Sequence, residues 1–179
     1  MVRSLSPVSD RRSSARPRIG RTRVVVANDH QVMGHALSCL LQREHDLEVV
    51  GEVRDFEAAV REVASQRPDV LVLDLRMPDG AGTESIERLH EISPATALVV
   101  TTMHETKLYA TRALRAGALG FVLADTADRE LADAVRRAAD GLVYVSPGSS
   151  SPSRNRCPSE PAQIRRSARR SDTARGTSP

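Results

Sequence analysis

Two runs of aliphatic residues in this chain end directly at acidic residues. The run 24–27 leads into Asn28 and Asp29, and the run 70–73 leads into Asp74. A continuous, largely β-branched run of this length is typical of a parallel strand that is buried on both faces. The acidic residue that follows then lies at the rim of the sheet. Two such rims side by side predict a site for a hard cation and a phosphoryl group.

Strand and helix patterns alternate from residue 24 to about residue 145. Strict alternation implies a doubly wound α/β fold, in which a five-stranded parallel sheet is covered by helices on both faces. Ligands of such sheets bind at the carboxyl ends of the strands, where the strand order reverses. The strand patterns cover 24–28, 47–53, 70–74, 97–101 and 119–123, and the helix patterns cover 32–41, 56–63, 84–92, 107–114 and 128–139.

The charge is divided unevenly along the 179 residues. Residues 1–23 carry a net charge of +6, and residues 147–179 carry +5. Because the whole chain has a net charge of +3, residues 24–146 carry −8. The outer segments are rich in Arg, Ser and Pro and poor in large apolar residues, so we expect 1–22 and 147–179 to be disordered arms. The predicted domain is therefore 23–146.

Four short motifs accompany the predicted strands, in a fixed order. Together they resemble the receiver domain of bacterial two-component response regulators of the NarL/FixJ (LuxR-type) family, over about residues 22–146. The resemblance implies a flavodoxin-like receiver fold. The motifs are Val-Ala-Asn-Asp-His at 26–30, Asp-Leu-Arg-Met-Pro at 74–78, Thr-Thr-Met-His at 101–104 and Ala-Gly-Ala-Leu-Gly-Phe-Val-Leu at 116–123.

The resemblance also implies roles for particular residues. Asp74 is expected to accept a phosphoryl group from a sensor histidine kinase. Asp29, Asp74 and the backbone carbonyl of Arg76 are expected to hold Mg²⁺, with Asn28 acting through a coordinated water. Thr102 is expected to contact the phosphoryl oxygens through its hydroxyl. The chemistry agrees, because oxygen ligands suit Mg²⁺ and a cation offsets repulsion between a carboxylate and a phosphoryl group.

The chain departs from the family pattern at two positions. Asn28 stands where a second acidic residue is usual, and Ala124 stands where the family has a lysine just past the fifth strand. Lys107 is the only lysine of the chain, and it lies at the start of a helix. We therefore expect that Asp74 is still phosphorylated but that switching is weak, since an ammonium–phosphoryl contact is charge-assisted.

Other interpretations of single residues remain open. His30 and His104 near the same rim are alternative metal ligands, although histidines in loops are more often solvated or hydrogen-bonded. Phe121 resembles an aromatic switch residue, and it is equally well explained as a core residue. The two cysteines imply no disulfide framework, and no run is long enough to span a membrane.

The expected function is phosphorelay signalling in a bacterial cytoplasm by a phosphoryl acceptor that assists its own phosphotransfer and is not otherwise an enzyme. A sequence-specific DNA-binding domain needs helical periodicity that 147–179 lacks, so we expect a truncated, frameshifted or variant transcriptional regulator. The alternatives are a phosphorylation-independent pseudo-receiver that binds partners, and a basic protein whose Arg-rich arms bind nucleic acid without sequence readout. Homodimerisation is left open.

Overall fold

A six-stranded, all-parallel sheet organises the chain, with the strand order β2-β1-β3-β4-β5-β6. The computed structural model describes residues 20–77, 82–103 and 107–147, so most of both predicted arms lies outside the described residues. The elements are β1 (Thr22–Ala27), α1 (Gln31–Gln42), β2 (Leu47–Val53), α2 (Phe56–Gln66), β3 (Val70–Asp74), α3 (Gly82–Ile92), β4 (Ala97–Thr102), α4 (Lys107–Arg115), β5 (Gly120–Leu123), α5 (Ala127–Ala139) and β6 (Tyr144–Val145).

The sheet has one strand more than the five that were predicted. Tyr144 and Val145 pair in parallel with Gly120 and Phe121. Two residues are too few to show the two-residue repeat of a strand in the sequence. This strand forms because its backbone pairs with the edge of β5. The doubly wound α/β class and the five longer strands are confirmed.

Local signals set the ends of the second helix. The Asp55 side chain caps the N-terminus of α2 by accepting a hydrogen bond from the Ala58 N–H at 2.6 Å. The helix runs three residues beyond the predicted end at Val63, because Arg67 closes it in the left-handed conformation immediately before Pro68. α4 ends at Arg115, one residue beyond the predicted end, and Gly117 follows it with a φ of +110°.

The sheet separates two apolar layers. Along β3, Val70 and Val72 face α1 and α5, whereas Leu71 and Leu73 face α2, α3 and α4. Phe121 is fully buried in the second of these layers, as the core interpretation of this residue predicted. Strand residues thus alternate between two cores, which is the reason that the runs are continuously apolar.

The strand order reverses between β1 and β3. β2 lies on one side of β1 and β3 lies on the other, with Ala27 paired to Leu73 at the carboxyl ends. The connections from these two strands therefore leave in opposite directions and open a crevice above the rim. Asn28, Asp29 and Asp74 lie at this crevice.

Replacing Gly120 with Ala should lower the free energy of unfolding by about 1–3 kcal/mol, the range for overpacking a core. A Cβ at this position would lie 2.8 Å from one methyl carbon of Val99 and 2.9 Å from the other. Urea denaturation measures the change. The control is Gly34→Ala in α1, where the nearest contact would be an ordinary 3.4 Å and alanine favours the helix. Equal stability of the two variants would contradict the packing argument.

An ion-pair cluster ties α5 to the connection between α1 and β2. The Arg136 guanidinium donates hydrogen bonds to Asp46 at 2.7 Å and 2.8 Å and to Glu44 at 2.5 Å. The hydrogen bonds from Arg136 to Asp46 lower the pKa of Asp46 to about 2. The partners of Arg136 lie about ninety positions away along the chain, so the spacing of residues along α5 does not reveal this cluster.

The Arg136 cluster should make the free energy of unfolding depend on pH in the acidic range. Because the pKa of Asp46 falls from 3.8 to about 2 on folding, its contribution is present above pH 3.8 and is lost as the pH falls toward 2. Arg136→Gln should cost about 1 kcal/mol near neutral pH, the value for a partly exposed pair, and progressively less below pH 3.8. Urea denaturation across this pH range tests this, with the exposed Arg129→Gln as control. A cost that does not vary with pH would contradict the linkage.

Candidate functional site

Three polar side chains meet where the strand order reverses. Asn28 and Asp29 follow β1 directly, and Asp74 is the last residue of β3. The Asn28 amide donates a hydrogen bond to Asp74 Oδ2 at 3.2 Å. Parallel pairing of β1 with β3 is what brings together residues that are 46 positions apart. The expectation that these two strand ends meet in space is confirmed.

Both oxygens of the Asp74 carboxylate are oriented by neighbouring groups. Oδ1 accepts a hydrogen bond from the Arg76 backbone N–H at 2.9 Å, while Oδ2 accepts from Asn28. Burial raises the pKa of Asp74, and the negative charge of Asp29 raises it further, against the lowering effect of the Arg76 hydrogen bond. The anionic form of Asp74 is therefore less favourable than that of a free aspartate, and an added cation would stabilise it.

Asp29 and His30 complete the acidic end of the site. Ligand atoms of Asp29, His30 and Asp74 all lie within 4.8 Å of one another. The His30 N–H donates to Asn28 Oδ1 at 2.9 Å, and its ring Nδ1 lies 2.8 Å from Asp29 Oδ1. The His30 side chain is 77% exposed, which agrees with the hydrogen-bonded loop interpretation. Because the two less exposed members, Asp29 and Asp74, supply oxygen atoms, the set fits a hard divalent cation such as Mg²⁺.

β4 and β5 supply the remaining walls. Asp74 is in register with Thr101, and Thr101 is in register with Val122. Strand alternation places Thr101 on the same face of the sheet as Asp74, while Thr102 comes next at the carboxyl end. Both threonines are buried, at 2% and 5% exposure. The Ala124 N–H donates to the Thr102 carbonyl at 2.9 Å, so the position after β5 lies beside the end of β4.

These residues line a single cavity of about 770 Å³. It brings together the predicted residues Asn28, Asp29, Asp74, Arg76 and Thr102. His104 and Pro78 lie outside the described residues. Thr101 was not predicted as a site residue, and the wall from α1 was not predicted either. The complete lining is Asn28, Asp29, His30, Val32, Met33, Ala36, Leu37, Asp74, Arg76, Thr101, Thr102, Met103 and Ala124.

A parallel sheet with this strand order and an acidic site at the reversal point define a receiver-type α/β domain. Residues 24–136 match the family described as the response regulator receiver domain. The chain belongs to this family.

Individual proteins show the same relationship. The chain is 36% identical over 124 residues to the oxygen regulatory protein NreC of Staphylococcus epidermidis, a match that covers 69% of this chain and 57% of that protein. It is 31% identical to the receiver domain of the response regulator NarL from Mycobacterium tuberculosis, with a TM-score of 0.64 and coverage of 68% and 98%. A LuxR-family response regulator from Aurantimonas sp. SI85-9A1 matches at 27% identity and a TM-score of 0.69, covering 73% and 94%.

The chain thus spans about 57% of the length of the curated relatives that it matches. The similarity is limited to the receiver domain and its site, and it does not show the activity of the whole relatives. Within the described ranges, no helix is both long enough and apolar enough to cross a bilayer.

Proposed function

We propose that Asp74 accepts a phosphoryl group from a sensor histidine kinase, in a phosphorelay that regulates transcription in a bacterial cytoplasm. The observation that carries this proposal is the convergence of Asp29 and Asp74, with ligand atoms within 4.8 Å, at the point where the strand order reverses. Membership in the receiver family supports the same function. Asp74 is partly buried yet lines an open cavity, so a donor can approach it.

The transfer uses the geometry of the Asp74 carboxylate. One carboxylate oxygen attacks phosphorus, and the bond between phosphorus and the kinase histidine nitrogen breaks as the new P–O bond forms. The hydrogen bonds from Asn28 and the Arg76 backbone hold the carboxylate in one orientation during the attack. Thr102, at the end of the neighbouring strand, would donate its hydroxyl to the transferred group.

Asp29, Asp74 and the backbone carbonyl of Arg76 would hold Mg²⁺, and Asn28 would act through a coordinated water. When bound, the ion supplies positive charge that offsets repulsion between the carboxylate and the phosphoryl oxygens. The raised pKa of Asp74 supports this assignment, because burial and Asp29 disfavour its charge in the absence of a cation. Oxygen ligands and the exposed His30 ring argue against a zinc site.

Added Mg²⁺ should raise the thermal stability of the protein. At a concentration ten times its dissociation constant, an ion that binds only the folded state adds about 1.4 kcal/mol. Asp29→Asn should remove most of this gain, since it removes one of the two anionic ligands. Differential scanning calorimetry with and without Mg²⁺ measures the effect, and the exposed Asp125→Asn is the matched control. An unchanged gain in Asp29→Asn would refute the assignment.

A pseudo-receiver that binds partners without phosphorylation is the second candidate. The observation that favours it is Ala124, which lines the cavity where the family has a lysine. Formation of an acyl phosphate on Asp74 discriminates the two functions. Incubation of the full chain with acetyl phosphate and Mg²⁺, followed by intact-mass and peptide analysis, detects the adduct. Its absence together with retained Mg²⁺ binding would favour the pseudo-receiver.

A further inference from the structure

The lining of the cavity contains an arginine and no lysine. Ala124 lines the cavity just after β5, and Arg76 lines it two residues after Asp74. Among the lining residues that the structure describes, Arg76 is the only arginine or lysine. A permanent positive charge therefore enters this site from the turn after β3 and not from the end of β5.

The backbone of Arg76 is held against the Asp74 carboxylate. Its N–H donates a hydrogen bond to Asp74 Oδ1 at 2.9 Å. The intervening Leu75 is tied to the neighbouring strand, because its N–H donates to the Thr101 carbonyl at 3.4 Å. Arg76 itself is exposed at the rim. A guanidinium on its long, flexible stem can therefore turn toward a group that is added to Asp74.

The charge of Arg76 already acts on the Asp74 carboxylate. Burial raises the pKa of Asp74, and the positive charge of Arg76 is among the effects that oppose this rise. His30 is the other lining residue that can carry a positive charge, and its ring Nδ1 lies 2.8 Å from Asp29 Oδ1. The His30 ring is thus engaged with Asp29, whereas Arg76 follows Asp74 directly in the same turn.

The charge balance of a phosphorylated site requires one further cation. An acyl phosphate on Asp74 carries about two negative charges near neutral pH, and Asp29 carries another. Two of these charges are offset when Mg²⁺ is bound, so about one negative charge remains. Asn28 and Ala124 add no charge to this balance. Arg76 supplies the single positive charge that brings the site to neutrality.

We propose that the Arg76 guanidinium binds the phosphoryl group on Asp74, in place of the lysine that the family has at the position of Ala124. A guanidinium has five N–H donors in a planar fork that matches phosphoryl oxygens, and it stays protonated in proteins. The inference rests on the proposed function, because it concerns the group that Asp74 would carry. It assigns a role to the Arg76 side chain, whereas the sequence pattern gave one only to the backbone carbonyl of this residue.

NMR titration of the full chain with beryllofluoride, in the presence of Mg²⁺, tests the proposal without a phosphodonor. Arg76→Gln removes the charge and keeps the backbone N–H and carbonyl. Its dissociation constant for beryllofluoride should be roughly tenfold higher than that of the wild type, the lower end of the range for a hydrogen bond to a charged group, because Arg76 is exposed. Arg129→Gln removes the same charge from α5, outside the cavity lining, and should leave the affinity unchanged.

Two further variants separate the charge of Arg76 from its shape. Arg76→Lys keeps the charge without the planar fork and should bind beryllofluoride with an affinity between those of Arg76→Gln and the wild type. Adding Ala124→Lys to Arg76→Gln should restore at least the wild-type affinity, because an ammonium then reaches the mimic from the end of β5. Failure of both variants to exceed the affinity of Arg76→Gln would refute a role for the charge.

Binding of Mg²⁺ alone is the second readout. Calorimetric titration should show that Arg76→Gln binds Mg²⁺ no more weakly than the wild type, since the backbone carbonyl is kept and a nearby cation is lost. A loss of Mg²⁺ binding that matches the loss of beryllofluoride affinity would show a disturbed metal site and would overturn the proposal. A larger loss of beryllofluoride affinity in His30→Gln than in Arg76→Gln would assign the contact to His30 instead.

The inference and the proposed function fail in different ways. Equal beryllofluoride affinity in the wild type and Arg76→Gln, or no binding by the wild type, would overturn the inference. Labelling of the wild type by acetyl phosphate tests the proposed function separately. A chain that is labelled but binds the mimic independently of Arg76 keeps the proposed function and loses this inference. A chain that is not labelled but binds the mimic through Arg76 keeps the inference and loses the proposed function.

Discussion

Replacing Asp74 with Asn should abolish the phosphoryl adduct that acetyl phosphate and Mg²⁺ form on the wild-type chain. The amide offers no anionic oxygen to attack phosphorus, and it removes one of the two charged ligands of the proposed cation site. Intact-mass measurement should show one added phosphoryl group on the wild type and none on the variant. Asparagine matches the shape of Asp74, so the loss is chemical rather than steric.

Two controls make the Asp74→Asn result specific. Asp125→Asn changes an exposed carboxylate close to the same rim and should leave labelling unchanged. Thermal melting should show Asp74→Asn to be at least as stable as the wild type, since burial and Asp29 already disfavour the charge of Asp74. Undiminished labelling of a folded Asp74→Asn protein would mean that the acceptor is another residue.

Replacing Ala124 with Lys should strengthen the phosphorylated state. Ala124 lines the cavity that also contains Asp74 and Thr102, so a lysine there can extend its ammonium toward the acceptor. A hydrogen bond to a charged group contributes about 1.5–3 kcal/mol, so affinity for the phosphoryl mimic beryllofluoride should rise tenfold or more. NMR titration with beryllofluoride in the presence of Mg²⁺ measures the dissociation constant of each protein.

Ala124→Met is the matched control for the lysine variant, because it has a similar length without the charge. It should bind beryllofluoride no more tightly than the wild type. Equal gains in the lysine and methionine variants would show that filling the cavity, rather than charge, is responsible. No gain in either variant would mean that the absence of a lysine at position 124 does not weaken binding of the phosphoryl mimic.

The elements of this fold were largely predictable because their signals are local. Buried parallel strands are continuously apolar, and Gly117 and Pro68 lie where helices end. Helix ends were less predictable, and α2 extends to Gln66 because the left-handed Arg67 closes it. β6 was missed, since pairing with β5 and not its own two residues defines it.

Long-range contacts could not be predicted from the sequence pattern. Arg136 has the helical position of a solvated residue, yet it holds Glu44 and Asp46 across the α1–β2 connection. Thr101 belongs to an apolar strand pattern, and only its register with Asp74 places it in the cavity. Neither contact leaves a periodic signal, because each joins residues that are far apart along the chain.

The amino-acid sequence alone identified the acidic residues that we propose as the site, because acidic residues at the ends of apolar strands form a pattern within single segments. It also determined the doubly wound class, since strict alternation of strands and helices leaves few topologies. Only the tertiary structure decided that Asn28 contacts Asp74, that Thr101 has no partner in the described ranges, and that α1 and Ala124 enclose an apolar space. These features arise from strand register and helix packing, which depend on the whole chain rather than on any one segment.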